Sequence, residues 1–86
     1  MLNVDVLQEK VSLKLYPNPV KDILYLNLPD SAKWFMQIFN ISGSLIYENS
    51  ILDNKIDLQN IKEGLYFIKI IDEKGSDYST QKIIKK

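Results

Sequence analysis

The fold of this chain is decided by the stretch Gly64-Leu65-Tyr66-Phe67-Ile68-Lys69-Ile70-Ile71, which carries the strongest strand signal in the 86 residues. Aromatic and β-branched side chains dominate the stretch, and turn residues bound it on both sides. Because it is apolar on both faces, we predict a central strand that is covered on both.

Successive side chains of a strand alternate between its two faces. Tyr66, Ile68 and Ile70 therefore share one face, which we predict to be the inward row. Leu65 and Phe67 belong to the opposite face. We expect a neighbouring loop or a receptor to cover them, and burial of Phe67 in the isolated domain would favour the loop.

The rest of the chain alternates short apolar rows with turn residues and lacks the 3.6-residue period of a helix. In addition to the central strand we predict strands over residues 11–16, 23–28, 33–41, 45–50, 56–58 and 78–84. A single helical turn over residues 58–63 would place Ile61 in the core. About seven short strands separated by turn signals are typical of an all-β antiparallel sandwich.

Turn residues mark where the predicted strands end. The corner Pro17-Asn18-Pro19 lacks two backbone donors, so the chain must leave the sheet there. Gly43 is suited to the positive φ of a bulged hairpin turn. Asp53-Asn54 and residues 72–75 supply two further turns.

Length and composition indicate one globular domain, with 45% apolar and 26% charged residues. We assign residues 12–86 to the domain and residues 1–11 to a linker or cleavage region.

Eleven acidic residues balance eleven lysines, and arginine is absent, which argues against nucleic-acid binding. We expect the terminal Lys82, Lys85 and Lys86 to form a solvated edge. No apolar run is long enough for membrane insertion by a spanning helix.

The chain lacks both histidine and cysteine, and with them the usual general base, activated nucleophile and transition-metal ligands. Acidic residues at Asp53, Asp57, Asp72, Glu73 and Asp77 allow paired carboxylates or a calcium site, but they fall in predicted turns, where such residues are common for backbone reasons. We therefore predict neither an enzyme nor a cofactor.

Aromatic residues leave a second class of function open. If several of them shared one exposed face, they would make a platform for a sugar or a peptide, and the domain would be an extracellular binding or adhesion module. The alternative is that the tryptophan packs in the core and the tyrosines lie half-buried. The residues concerned are Tyr25, Trp34, Phe35, Tyr47 and Tyr78.

Several landmarks recur in a fixed order over residues 13–86. They are Leu15-Tyr16-Pro17-Asn18-Pro19 with residues 22–26, then residues 38–43, residues 56–58 with Ile61, residues 64–70, and finally Lys82-Ile83-Ile84-Lys85. In order and spacing they resemble the type A C-terminal sorting domain of the type IX secretion system of Bacteroidetes-type bacteria. Asn40 stands where that family often has aspartate, and we expect it to serve the same turn.

The resemblance implies an immunoglobulin-like sandwich that forms the last domain of a larger secreted protein and acts as an address. The fused N-terminal passenger would transit the periplasm and then reach the cell surface or the medium. The implied partners are an outer-membrane translocon with its shuttle protein and a sortase-like signal peptidase that cuts ahead of the first strand. The motif residues to which recognition would be assigned are Pro17, Asn18, Pro19, Gly43, Gly64, Tyr66, Lys82, Ile83, Ile84 and Lys85.

Two expectations concern the final strand. It ends in lysines, so we expect it to lie at a sheet edge, where strand addition is one way for a partner to read it. Exposed edges also permit a dimer without requiring one.

Overall fold

The structure, a computed structural model, describes residues 13–29 and 33–86. Within these ranges the chain forms seven strands and no helix. The strands are β1 (Leu15–Tyr16), β2 (Ile23–Leu26), β3 (Trp34–Phe39), β4 (Leu45–Ile51), β5 (Lys55–Asp57), β6 (Gly64–Asp72) and β7 (Asp77–Lys85). This part of the chain therefore offers no helix that could cross a membrane.

The strands form two antiparallel sheets. The smaller has the order β1-β2-β5 and the larger the order β4-β3-β6-β7. The predicted all-β sandwich of the immunoglobulin-like class is confirmed. The linker or cleavage region at residues 1–11, and the start of the strand predicted at 11–16, lie outside the described residues.

Strand bounds differ from the prediction mainly where a sequence pattern continues after pairing has ended. β2 stops at Leu26 although Leu28 continues the apolar row and is buried. The single helical turn predicted over residues 58–63 is a shorter hydrogen-bonded turn over residues 58–61 and not a helix. In that turn the amide of Ile61 donates to the carbonyl of Leu58 at 3.0 Å. Ile61 packs against the core as expected.

Strand β6 is central, as predicted, with β3 on one side and β7 on the other. Its inward row is confirmed, because Tyr66, Ile68 and Ile70 are all buried. In the register of the sheet, Ile38 of β3 lies opposite Ile68, and Ile83 of β7 lies opposite Tyr66. The smaller sheet closes the core with the buried side chains of Leu15, Leu24, Leu26 and Ile56.

The outer face of β6 bears on the two covers expected for it, a loop or a receptor. Leu65 and Phe67 are 38% and 36% exposed, which contradicts a loop over them among the described residues, and cover by a receptor stays a prediction. The apolar strip instead continues sideways, with Phe39 in register with Phe67 and Ile84 in register with Leu65. The physical reason is that the smaller sheet packs against only one face of the larger. Exposed apolar side chains of this kind are common on small domains.

Asn40 closes the β3–β4 turn. Its Oδ1 accepts hydrogen bonds from the amides of Ser42 and Ser44 at 3.1 and 3.0 Å, and from the Ser42 hydroxyl at 2.8 Å. Gly43 has the predicted positive φ, at 88°. Asparagine thus serves the turn as expected.

The Asp53-Asn54 turn carries the chain from one sheet to the other. Both residues have positive φ, 57° and 55°, which is the backbone of a two-residue type I′ hairpin. The carbonyl of Asn54 accepts from the amide of Leu26 at 3.2 Å. This contact sets β5 beside β2 while β4 remains at the edge of the larger sheet.

Two neighbouring residues of β6 test whether the core lies on only one face of the larger sheet. Ile68→Ala leaves a cavity in the closed interior and should lower the free energy of unfolding by about 2–5 kcal/mol. Phe67→Ala, on the open face, should cost about 1 kcal/mol. Urea unfolding followed by Trp34 fluorescence measures both, and equal losses would contradict the assignment of the two faces.

The Asn40 turn generates a second prediction. Asn40→Ala removes the acceptor of three hydrogen bonds and should cost about 1–2 kcal/mol of unfolding free energy. Asn40→Asp keeps the acceptor and should stay close to the parent protein. The same urea titration compares them. If the alanine variant proved as stable as the aspartate variant, the turn bonds would contribute nothing.

Candidate recognition site

Asn18 joins the corner after β1 to the last strand. Its Nδ2 donates to the carbonyl of Lys82 at 3.1 Å, and its Oδ1 accepts from the amide of Ile84 at 3.0 Å. A side-chain amide offers a donor and an acceptor side by side, so Asn18 imitates a peptide group of an added strand. The residue lies between Pro17 and Pro19, and the Tyr16–Pro17 and Asn18–Pro19 peptide bonds are both cis.

Val20 extends this contact by two backbone hydrogen bonds. Its amide donates to the carbonyl of Ile84, and its carbonyl accepts from the amide of Lys86, both at 2.8 Å. The pairing is a parallel bridge between Val20 and Lys85. We call these four hydrogen bonds, from Asn18 and Val20 to residues 82–86, the clasp.

The clasp corrects the expectation that the end of the last strand is a free sheet edge. β7 is an edge strand of its sheet, as expected. From Lys82 onward, however, its outward backbone groups already bind Asn18 and Val20. Strand addition by a partner at this end would have to displace the clasp.

Side-chain directions along β7 follow the two-residue alternation. Ile83 and Lys85 face inward, whereas Lys82 and Ile84 face outward, and Ile84 is 47% exposed. The expected solvated lysine edge is therefore wrong for Lys85, which is only 8% exposed. Its stem shares the inward face with Ile83, and its Nζ donates to the carbonyl of Lys86 at 3.1 Å. A long aliphatic stem allows a lysine to be covered while its charge reaches the chain end.

Gly64 and Tyr66 begin the neighbouring strand at the same place. Gly64 lies opposite Lys85, and Tyr66 lies opposite Ile83. Gly64 has a φ of 151°, which disfavours a side chain there, and a Cβ would lie 3.6 Å from the Tyr66 ring. The Tyr66 hydroxyl donates to the carbonyl of Lys62 at 2.8 Å and so fixes the entry into β6.

The structure therefore brings most of the predicted recognition residues to one corner of the sandwich. The Pro17–Pro19 corner meets Lys82–Lys85 through Asn18, and Gly64 and Tyr66 pair with the same stretch of β7. Gly43 belongs to the separate turn closed by Asn40 and has a local role in the backbone.

The aromatic residues that would have formed a binding platform do not share one face. Trp34 packs against the core beside Tyr78, with ring centroids 4.7 Å apart, and its indole N–H donates to the carbonyl of Pro29. Tyr25 stacks with Tyr16 on the other sheet, with centroids 6.0 Å apart. The structure thus places these side chains in separate groups.

Turn carboxylates bind backbone amides. Asp72 Oδ1 accepts from the amides of Lys74 and Ser76, both at 2.9 Å, and Asp57 Oδ1 accepts from Gln59 at 2.9 Å. Over residues 13–29 and 33–86, acidic side chains do not gather into a group of three or more that could hold a metal ion.

Sequence reasoning missed two residues of this corner. Val20 is fully buried and supplies half of the clasp. Gln81 of β7 binds the residues ahead of β1, since its Nε2 donates to the carbonyl of Leu13 at 2.7 Å. A lone β-branched residue directly after Pro17-Asn18-Pro19 was the available signal for Val20. No local pattern marks Gln81.

Three curated proteins are similar to this chain. An ulvan lyase, NLR42, from Nonlabens ulvanivorans is 31% identical in an alignment 86 positions long that covers 96% of this chain and 16% of that protein. Beta-agarase D from Zobellia galactanivorans is 29% identical over 90% of this chain and 16% of its own length. An endo-acting ulvan lyase from Formosa agariphila is 24% identical over 85% of this chain and 15% of its own. The chain thus spans about one sixth of these relatives.

The family profile of the secretion system C-terminal sorting domain matches residues 14–86. This range includes the clasp, both sheets and all ten of the motif residues named from the sequence. The chain therefore belongs to the family of secretion system C-terminal sorting domains, as its resemblance to the type IX members had indicated.

Proposed function

We propose that this domain directs an attached passenger protein across the outer membrane through the type IX secretion system. The observation that carries the proposal is the family match over residues 14–86. The domain is an address, and its readers are the outer-membrane translocon and a shuttle protein, reached after transit through the periplasm. The names of the curated relatives describe catalytic activities, and we attribute those activities to the five sixths of each protein that this chain does not span.

The fold supports a role in recognition. The described residues form a sandwich held by apolar packing, without the side-chain constellation of a hydrolase. Such a domain can fold by burial alone and then present a fixed surface to a receptor. A carbohydrate-binding role gains no comparable support, because the aromatic side chains are dispersed.

Export of a reporter tests the proposal. A fluorescent or enzymatic reporter is given an N-terminal signal peptide and residues 1–86 at its C-terminus, in a bacterium with a type IX system. We expect it at the cell surface or in the medium. The same reporter lacking residues 79–86 should stay in the periplasm, because the truncation removes most of β7 and the clasp.

Two controls make this export assay specific. A strain without the translocon should retain the complete fusion in the periplasm, and a reporter without residues 1–86 should be retained in both strains. Delivery that persists without the translocon, or after removal of residues 79–86, would contradict the proposed route.

Processing gives a separate prediction. We propose that a sortase-like signal peptidase cuts within residues 1–12, ahead of β1, and releases the folded domain. Mass spectrometry of the exported reporter should therefore find a new C-terminus at or before residue 12. An exported reporter that retains residues 13–86 would exclude cleavage while leaving the sorting role intact.

A further inference from the structure

The clasp binds successive outward-facing backbone groups at the end of β7. Asn18 binds the carbonyl of Lys82 and the amide of Ile84, and Val20 binds the carbonyl of Ile84 and the amide of Lys86. On the other side the strand is paired with β6, from Gly64 opposite Lys85 onward. The backbone at this end of β7 is therefore hydrogen-bonded on both sides.

A receptor has two physical ways to read such a strand. It can add a strand of its own to the edge, which requires the outward N–H and C=O groups. It can instead bind the domain with the clasp closed and contact the side chains that the clasp orients. In this structure the groups needed for the first way are occupied.

The Asn18 side chain is well placed to set the orientation of the strand. It contacts residues on either side of Ile83, whose side chain is buried in the core. Lys82 and Ile84 are thereby held with their side chains directed away from the core. Asn18 is itself exposed, so its contribution comes from these two hydrogen bonds and not from core packing.

We propose that Asn18 is a positioning residue of the sorting signal. By closing the clasp it holds residues 82–86 in the form that the secretion machinery recognises, and the machinery reads the folded corner and not a free strand edge. This inference rests on the proposed sorting function and specifies how its signal is presented.

The test compares reporter fusions that carry Asn18→Ala, Asn18→Asp or Asn40→Ala. Asn18→Ala removes both side-chain bonds of the clasp. Asn18→Asp keeps the acceptor for the Ile84 amide but places a carboxylate oxygen against the Lys82 carbonyl. Asn40→Ala is the matched control, because it also removes asparagine side-chain hydrogen bonds to backbone but lies in the β3–β4 turn, away from the clasp.

Amide hydrogen exchange and export are measured on the same variants. In Asn18→Ala the Ile84 amide should exchange at least tenfold faster, while the amides paired between β3 and β6 keep their protection. Export should fall at least fivefold in Asn18→Ala, fall also in Asn18→Asp because the carboxylate repels the Lys82 carbonyl, and remain near the parent level in Asn40→Ala. Export is compared at a temperature at which each domain is fully folded.

Three results would overturn the inference. Export of folded Asn18→Ala at or above the parent level would mean that the machinery reads an open strand. An equal fall in Asn18→Ala and Asn40→Ala would mean that stability alone matters. If Asn18→Ala does not fold, Asn18→Asp decides, and parent-level export of that folded variant would count against the clasp. Failure of the sorting function itself is recognised separately, since the parent fusion would then not be exported.

Discussion

Two side-chain hydrogen bonds of Asn18 and two backbone hydrogen bonds of Val20 join the segment between β1 and β2 to the end of β7, in the other layer of the sandwich. The layers also meet through the apolar side chains of the core, which attract without direction. The clasp adds direction, because four hydrogen bonds fix where the segment between β1 and β2 meets the last strand of the other sheet. It also occupies an edge whose free N–H and C=O groups would otherwise invite pairing with other chains.

The rest of the fold is consistent with a core closed on one side. β6 has two apolar rows, but the smaller sheet covers only the row that contains Ile68. The other row stays at the surface with Leu65 and Phe67. Lys85 lies on the inward face at the end of β7, because side chains alternate along the strand and Lys85 follows Ile83 by two residues. Its aliphatic stem is therefore covered although its charge belongs in water.

Local patterns were sufficient to predict the strands, the inward row of β6 and the Asn40 turn, because alternation and turn chemistry operate over a few neighbouring residues. They were insufficient for Phe67, since an apolar residue in a strand does not reveal whether a second layer lies above it. They also failed for Val20 and Gln81, whose partners are distant in sequence. The residues predicted to serve recognition were named from family resemblance, and only the fold shows that most of them meet at one corner.

The clasp joins residues that are far apart in the sequence. Asn18 is separated from Lys82 by 64 positions and from Ile84 by 66, so nearly the whole domain lies within the loop that these bonds close. Closing a loop of that length is entropically unfavourable until other contacts have brought its ends together. The two sheets do so, because Leu24 and Ile83 are buried in the same core. The orientation of Lys82 and Ile84 is consequently a property of the completed fold, and residues 82–86 alone would not reproduce it.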